Sequence, residues 1–505
     1  MTQLMHSFRG FTPPPAVLEG VRRGDIAAFC LFAYNFESLA QFRELTMRLH
    51  QAAREGGCPP PLIGTDQEGG QLMAITGGAT ELPGNMALGA ARSPELARLA
   101  GRVLARELLA AGCNLNFAPV LDLNNNPDNI ATGIRSFGAD PALAGELGSA
   151  LIAGMQAEGV IATAKHFPGH GDTLVDSHFD VPVINKSLSE MESLELYPFR
   201  KAIAAGVGGV MSAHIRFSAL DAESIATVSR PILTGLLREK MGFDGLILTD
   251  AMDMQAVNRM GTRASIRAAL QAGADLVLLG HLPEQIELTA EMRPLYNAAS
   301  LERIARARAA LPQTHPALDV IGCAEHRQIA QAIADASITL VRDNNRLPLR
   351  PTPETKIAVI AVRPVNLTPA DTSSDVQINL AAAIRARHTR VIALEMPYSA
   401  PVEAAAPLIN AAQDADIIII GTIAADRDPA QAALVRELQT RGKTPIVVAL
   451  RTPYDLRAFP QIETYLCAYG IRPATMEAVA RVLFGEIPAR GVLPCPIPGI
   501  EPARL

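Results

Sequence analysis

DPALAGELGSALIAGMQAEGVIATAKHF, residues 140–167, contains one complete helix-to-strand unit. Asp140 and Pro141 suit a cap and a first helical position: the carboxylate can accept from exposed N–H groups, and proline has no N–H to leave unpaired. Leu143, Leu147 and Leu151 recur at i+4 spacing and form one apolar stripe, until Gly159 stops the helix. VIATAKHF (160–167) then begins apolar on both faces, the pattern of a parallel strand covered by helices. It closes on two titratable residues, Lys165 and His166.

The same alternation runs through the chain to about residue 280. IAAFCLF (26–32), PLIGTD (61–66), NLNFAPVLDL (114–123), VGGVMSAHI (207–215), GLILTD (245–250) and DLVLLG (275–280) read as further strands, with helical segments between them. Ser229 and Pro231 open one such helix and Gly242 closes it. Seven strands, with room for an irregular early eighth, predict an α/β fold built on a (β/α)8 TIM-type barrel; an open doubly wound sheet is the alternative. After SLERIARARAALP (300–312) and a loop-like stretch, a second β/α series begins. Its strands are SITLVRD (337–343), KIAVIAV (356–362), RVIALEM (390–396), DIIIIGT (416–422), PIVVAL (445–450) and ETYLCAYG (463–470). The expected organisation is a barrel domain over 1–315, then a linker and an α/β/α sandwich domain over 316–505.

Composition narrows the function classes. The 505 residues are 49% hydrophobic and 19% charged, enough apolar content for large globular cores. A net charge of −6 without basic clusters argues against nucleic acid or an anionic membrane as partner. The run Ile417–Ile420 is too short to span a bilayer. MTQLMHSFRGFTPPP at the start lacks a basic segment followed by an apolar one, so no secretory signal is expected. Six scattered cysteines, no pair with CxxC spacing, fit a reducing cytoplasm; Cys30, Cys113 and Cys467 read as small buried hydrophobes.

In a barrel of this kind catalytic groups come from the C-terminal ends of strands and the loops that follow. Asp66 ends the second strand, Arg135 follows the third, Lys165 and His166 end the fourth, and Asp250 ends the sixth. Each alone reads equally as a solvated strand end or a structural ion pair; together they imply a polar cleft. KHFPGHGDTLVDSH (165–178) adds three of the ten histidines, with Asp172 and Asp176. Asp176 beside His178 can fix a ring tautomer and raise the basicity of the other nitrogen, as a general acid/base needs, or the two can simply cap backbone. Asp250 follows a rigid apolar strand and suits attack on an electrophilic carbon, with Asp253 its rival. His166, His170, Asp172, Asp176 and His178 are also metal-ligand types, but Pro168 and Gly169 break HxxxH, so it cannot put both rings on one helix face. No metal and no cofactor are expected.

KHFPGHGDTLVDSH, with TDQEGG, NNNPDNIATGIRSFG and LILTDAMDM in that family's order, resembles glycoside hydrolase family 3, in its β-N-acetylglucosaminidase branch. SITLVRDNNRLPL, ALRTPYDL, LCAYG and LFGEIPARGVLPCPIP are similar to segments of the family's second domain. The resemblance implies Asp250 as nucleophile, His178 as general acid/base with Asp176 as its partner, and Asp66, Arg135, Lys165 and His166 as sugar-binding residues. It implies a retaining exo-β-N-acetylglucosaminidase acting on muropeptide- or chitin-derived fragments. The partner is then a small saccharide or glycopeptide. A family 3 phosphorylase, another β-glycosidase, a metal-dependent hydrolase and an inactive sugar-binding protein are the competing readings. Two departures stand out: Gln71 and Ala74 occupy places where the family commonly has arginines, and the chain has no tryptophan.

Overall fold

The computed structural model describes residues 2–173, 181–258 and 260–500. Eight parallel strands form the barrel: β1 (Leu4–Met5), β2 (Ala28–Cys30), β3 (Leu62–Thr65), β4 (Leu115–Asn116), β5 (Ile161–Phe167), β6 (Gly209–Ser212), β7 (Leu246–Thr249) and β8 (Val277–Leu278). β2 to β7 pair in chain order. The eighth strand is the extreme N-terminal segment, which the sequence reading left unplaced. Leu4 and Met5 pair with Val277 and Leu278, and bridges His6–Phe29 and Leu248–Leu276 complete the ring. Hydrogen bonds from Val277 N to Gln3 O (2.8 Å), Leu279 N to Met5 O (3.0 Å) and His6 N to Ala28 O (2.9 Å) seal it. The closed ring has no strand edge, which settles the choice between barrel and open sheet.

The other seven strands fall where the apolar runs predict, each shortened. NLNFAPVLDL is paired as a strand only over Leu115–Asn116, because Pro119 has no N–H for the ladder. Contact with β5 continues regardless: Ala118 O and Pro119 O accept from Thr163 N (2.9 Å) and Lys165 N (3.0 Å). The helix Pro141–Ala157 is capped as its sequence requires, with Asp140 Oδ1 accepting from Ala142 N (2.8 Å) and Leu143 N (3.4 Å).

Side chains alternate between two cores. Met5, Cys30, Leu62, Phe117, Met211 and Leu248 fill the barrel interior, while the outward faces pack on the surrounding helices. All six cysteines are free thiols, and Cys30, Cys113 and Cys467 are buried as expected.

The second sheet holds β9 (Thr339–Arg342), β10 (Ile357–Arg363), β11 (Val391–Pro397), β12 (Ile417–Thr422), β13 (Ile446–Ala449) and β14 (Thr464–Cys467), in the order β9-β14-β13-β12-β10-β11. Only β9 runs antiparallel to its neighbour. Helix Leu380–Arg385 packs on Pro473–Leu483, and Ala405–Ala412 packs on Pro429–Thr440; with the sheet they make an α/β/α sandwich. Among the described residues no helix is long and apolar enough to cross a membrane.

Gly64 tests the barrel's packing. A Cβ there would lie 2.6 Å from Leu115 Cδ2 and 2.7 Å from Phe117 Cζ. Gly64→Ala is expected to lower stability by about 1–3 kcal/mol through overpacking, read as a lower midpoint in urea with an unchanged m-value; an unchanged midpoint would show that the interior has slack.

Candidate active site

The rim at the C-terminal ends of β3, β4 and β5 is organised by buried charge. Lys165, 2% exposed, ends its side chain 2.6 Å from Asp66 Oδ1 and 2.6 Å from Glu68 Oε1. Glu68 also accepts a two-pronged bond from Arg135, Nε to Oε2 at 2.9 Å and Nη2 to Oε1 at 2.8 Å. Burial opposes ionisation of Glu68, but the charges of Arg135 and Lys165 overcome it and bring its pKa down to about 2. Burial likewise works to lower the Lys165 pKa and is outweighed by Asp66 and Glu68, so the ammonium is held above its ordinary value. Glu68, Lys165 and Arg135 are thereby held in their charged forms at neutral pH. The cluster presents polar groups of fixed position to the cavity.

A second pairing orients the histidines. Asp122, buried in the loop after β4, contacts His166 Nδ1 through Oδ2 (2.7 Å) and accepts from His166 N (3.1 Å) and His170 N (2.7 Å) through Oδ1. Burial pushes the Asp122 carboxyl up, but the His166 charge and hydrogen bonds prevail and hold it below its ordinary value. The ring is thereby fixed with Nε2 directed to Asp250 Oδ2, 4.0 Å away. Asp250 sits one residue past β7, where Oδ1 accepts from Ala251 N (2.7 Å) and sets the tilt of the carboxylate. Beneath it, buried His214 bridges Thr227 Oγ1 (2.7 Å) and Ala251 O (3.0 Å), bracing the turn that carries Asp250.

Part of this arrangement lines one cavity of about 590 Å³. Asp66, Arg135, Lys165, His166 and Asp250, all singled out from sequence, meet there, with His170. Asp176 and His178 lie outside the described residues. Asp253 points elsewhere on the wall, where it accepts from His281 N (2.8 Å) and lies 2.6 Å from His281 Nδ1. Among the described residues no group of three or more His, Cys, Asp or Glu side chains has the arrangement of a metal site.

Sequence reasoning did not single out Glu68 or Asp122, although both lie in segments it quoted. The available signal was chemical: two cations and a histidine at strand ends need carboxylate partners, and these are the nearest acids in TDQEGG and VLDL. It also left open whether the second domain takes part. The loop after β10 lines the same cavity with Asn366, Thr368, Ala370, Asp371, Thr372 and Asp375. Gln71 holds that loop. Its Oε1 accepts from Arg451, its Nε2 donates to Ala370 O (3.0 Å), and its carbonyl accepts from Thr372 N (2.8 Å). Arg451 in turn bonds Asp371 (2.8 Å). Gln71 thus ties the two domains together.

A closed (β/α)8 barrel with charged side chains gathered in one pocket at this rim has the layout of an enzyme active site. Comparison with known proteins makes the class definite. Residues 7–306 match the glycosyl hydrolase family 3 N terminal domain, and residues 338–502 match the glycosyl hydrolase family 3 C-terminal domain. The chain belongs to glycosyl hydrolase family 3. It is 30% identical to Beta-hexosaminidase A of Pseudoalteromonas piscicida over 551 residues, covering 96% of this chain and 91% of that one. Beta-hexosaminidase of Thiobacillus denitrificans is 38% identical over 289 residues, covering 56% of this chain and 79% of its own. A solved structure of a glycoside hydrolase family 3 β-N-acetylglucosaminidase from Paenibacillus sp. str. FPU-7 superposes with a TM-score of 0.91 at 32% identity, covering 98% of this chain and 97% of that one.

Removing one member of the buried cluster leaves a charge without a partner. Glu68→Gln is expected to cost about 3–5 kcal/mol of stability at pH 7, measured by denaturant unfolding. The pH dependence has a definite sign, because the folded-state pKa of Glu68 lies below its ordinary 4.5. Its contribution is fully present above that value and is lost as pH falls toward about 2. The gap between wild type and Glu68→Gln should therefore shrink in acid; a gap independent of pH would refute the assignment.

Proposed function

We propose that this chain is a retaining exo-β-N-acetylglucosaminidase acting on terminal β-linked N-acetylglucosamine of muropeptide- or chitin-derived fragments, in the cytoplasm. The observation that carries the reading is the meeting of Asp250 with Asp66, Arg135, Lys165 and His166 in one cavity. The relatives named β-hexosaminidase and β-N-acetylglucosaminidase support the choice of sugar.

In the proposed chemistry protonated His178 donates to the glycosidic oxygen while a carboxylate oxygen of Asp250 attacks the anomeric carbon. The C1–O bond breaks, the aglycone leaves as an alcohol, and a glycosyl-aspartate remains. Water then attacks the anomeric carbon, neutral His178 takes its proton, and the Asp250 carboxylate is released with net retention. Asp176 holds the His178 tautomer in this scheme. Asp66, Lys165, Arg135 and His166 bind the sugar hydroxyls; the pair Lys165–Asp66 and the pairing of Arg135 with Glu68 and His166 with Asp122 support the role, since groups already fixed lose little freedom when substrate arrives.

Incubation with a fluorinated glycosyl donor that slows breakdown of the intermediate should label Asp250, located by peptide mass spectrometry. Label on another residue, or inversion of the anomeric centre by NMR, would overturn the mechanism. His178→Ala is expected to reduce kcat/KM by about 10²–10⁴-fold on alkyl glycosides. The loss should be smaller on aryl glycosides, whose leaving group needs little protonation. An equal loss on both classes would remove His178 from proton transfer.

A further inference from the structure

We propose that a second pocket, at the far end of the barrel from Asp250, binds a hydroxyl-bearing oxyanion of the hydrogen phosphate type through Arg54, Arg308, His50 and His315. Such a site goes beyond the glycosidase reading and does not depend on it. The pocket holds about 230 Å³ and is lined by these four side chains, the turn 58–60 and residues at and beyond the end of helix Ala298–Ala309. Pro59 and Pro60 lead into β3, so it lies at the N-terminal ends of the barrel strands, away from the rim that gathers Asp66, Lys165 and Asp250.

Arg308 is a buried charge bonded only to neutral groups. It is 3% exposed, and its Nε donates to Pro60 O (2.8 Å) and its Nη2 to Pro59 O. Nη1 makes no hydrogen bond among the described residues, and neither Arg308 nor Arg54 forms an ion pair there. Glu55, beside Arg54 in sequence, is held by Arg22 (2.7 Å). Burial is the largest influence on the Arg308 guanidinium and lowers its pKa, yet an arginine stays charged at neutral pH. A buried ion without a counter-charge is costly, and an anion in the pocket relieves that cost. Arg54 adds a second positive charge from the exposed lip.

The two imidazoles, whose centres are 4.7 Å apart, set the chemistry of the ligand. His50 Nε2 lies 2.9 Å from Gly112 O, and His315 Nδ1 lies 3.1 Å from Leu109 O. A carbonyl only accepts, so these two nitrogens carry the protons. Burial, joined by the nearby cations, brings the His50 pKa down to about 4 and lowers that of His315. Both rings are therefore neutral at pH 7, and His50 Nδ1 and His315 Nε2 are acceptors with no hydrogen-bond partner among the described residues. The pocket thus offers guanidinium donors and imidazole acceptors together. An ion that matches both carries charged oxygens and an O–H of its own. Hydrogen phosphate has them, its double charge equals that of the two guanidinium groups, and the volume admits it with a few waters. Sulfate at neutral pH has no hydrogen to give.

Bound there, the ion would join helix Leu39–Glu55, the turn before β3 and the start of the segment leading to the second domain, and so stabilise the full chain by mass action. Thermal unfolding at pH 7 in inorganic phosphate and in sulfate, at matched ionic strength, tests this. Phosphate is expected to raise Tm above the sulfate value, increasingly with concentration, and calorimetric titration to show one site with a Kd of about 1 mM or tighter. Methyl phosphate, at this pH mostly a dianion without an O–H, should behave as sulfate does. Arg54→Ala removes an exposed side chain and is expected to weaken phosphate binding about tenfold. Arg308→Gln should abolish the phosphate increment, which is read against the same variant in sulfate and so does not depend on that variant's own stability. Equal Tm in sulfate and phosphate, no saturable heat on titration, or an increment that survives Arg54→Ala undiminished would overturn the proposal.

Discussion

Glu68 carries two cations at once, and the rim of the barrel is built around that fact. Arg135 comes from the loop after β4, Lys165 from β5, and Glu68 from the hairpin that follows β3. Each charge would be expensive to bury alone, so none of the three segments can move without stranding the others. The consequence reaches the chemistry. Asp66 is fixed through Lys165, and the backbone that places Lys165 also places His166 beside it, where Asp122 turns its ring toward Asp250. Position and orientation are settled within the protein itself, and the polar groups facing the cavity are already organised by their own pairing.

The hairpin after β3 does a second task a few residues further on. Residues Gln67–Gly69 pair with Leu72–Met73, and between them Gly70 O accepts from Arg472 (2.9 Å) while Gln71 grips Arg451 and the loop after β10. The segment that positions Asp66 and Glu68 is thus the one that anchors the second domain. Other ties lie away from it, among them Asn124 to Tyr454 OH (3.0 Å) and the backbone bond from Ala139 N to Pro494 O (3.0 Å). Together they turn the sandwich domain into a wall of the cavity. A shift between the domains would alter the site's shape and reach the charge cluster through Gln71.

Much of the architecture was legible from local pattern. Apolar runs bounded by capped helices located seven barrel strands and all six strands of the second sheet, because a strand covered on both faces must be apolar and even the largely exposed edge strand β11 keeps an apolar run. β1 escaped because a two-residue strand has no period to detect; it is recognisable only from the partners it finds at β2 and β8. The strand-end charges Asp66, Lys165, His166 and Asp250 were legible for a related reason, since a polar residue closing an apolar strand is conspicuous. Glu68 and Asp122 were in view and passed over, as an acid in a loop is ordinary until the cation it faces is known.

The sequence by itself determined which segments become helices and which become strands, β1 apart, and which chemical groups crown them, since these follow from periodicity, caps and the cost of burying charge. Tertiary structure alone decided how the barrel closes, which acid meets which base, and what the second domain adds to the pocket. Lys165 and Asp66 are 99 positions apart, and Arg451 and Gln71 are 380 apart. No local rule of conformation links such residues; they meet only because the packed domains hold the backbone that carries them.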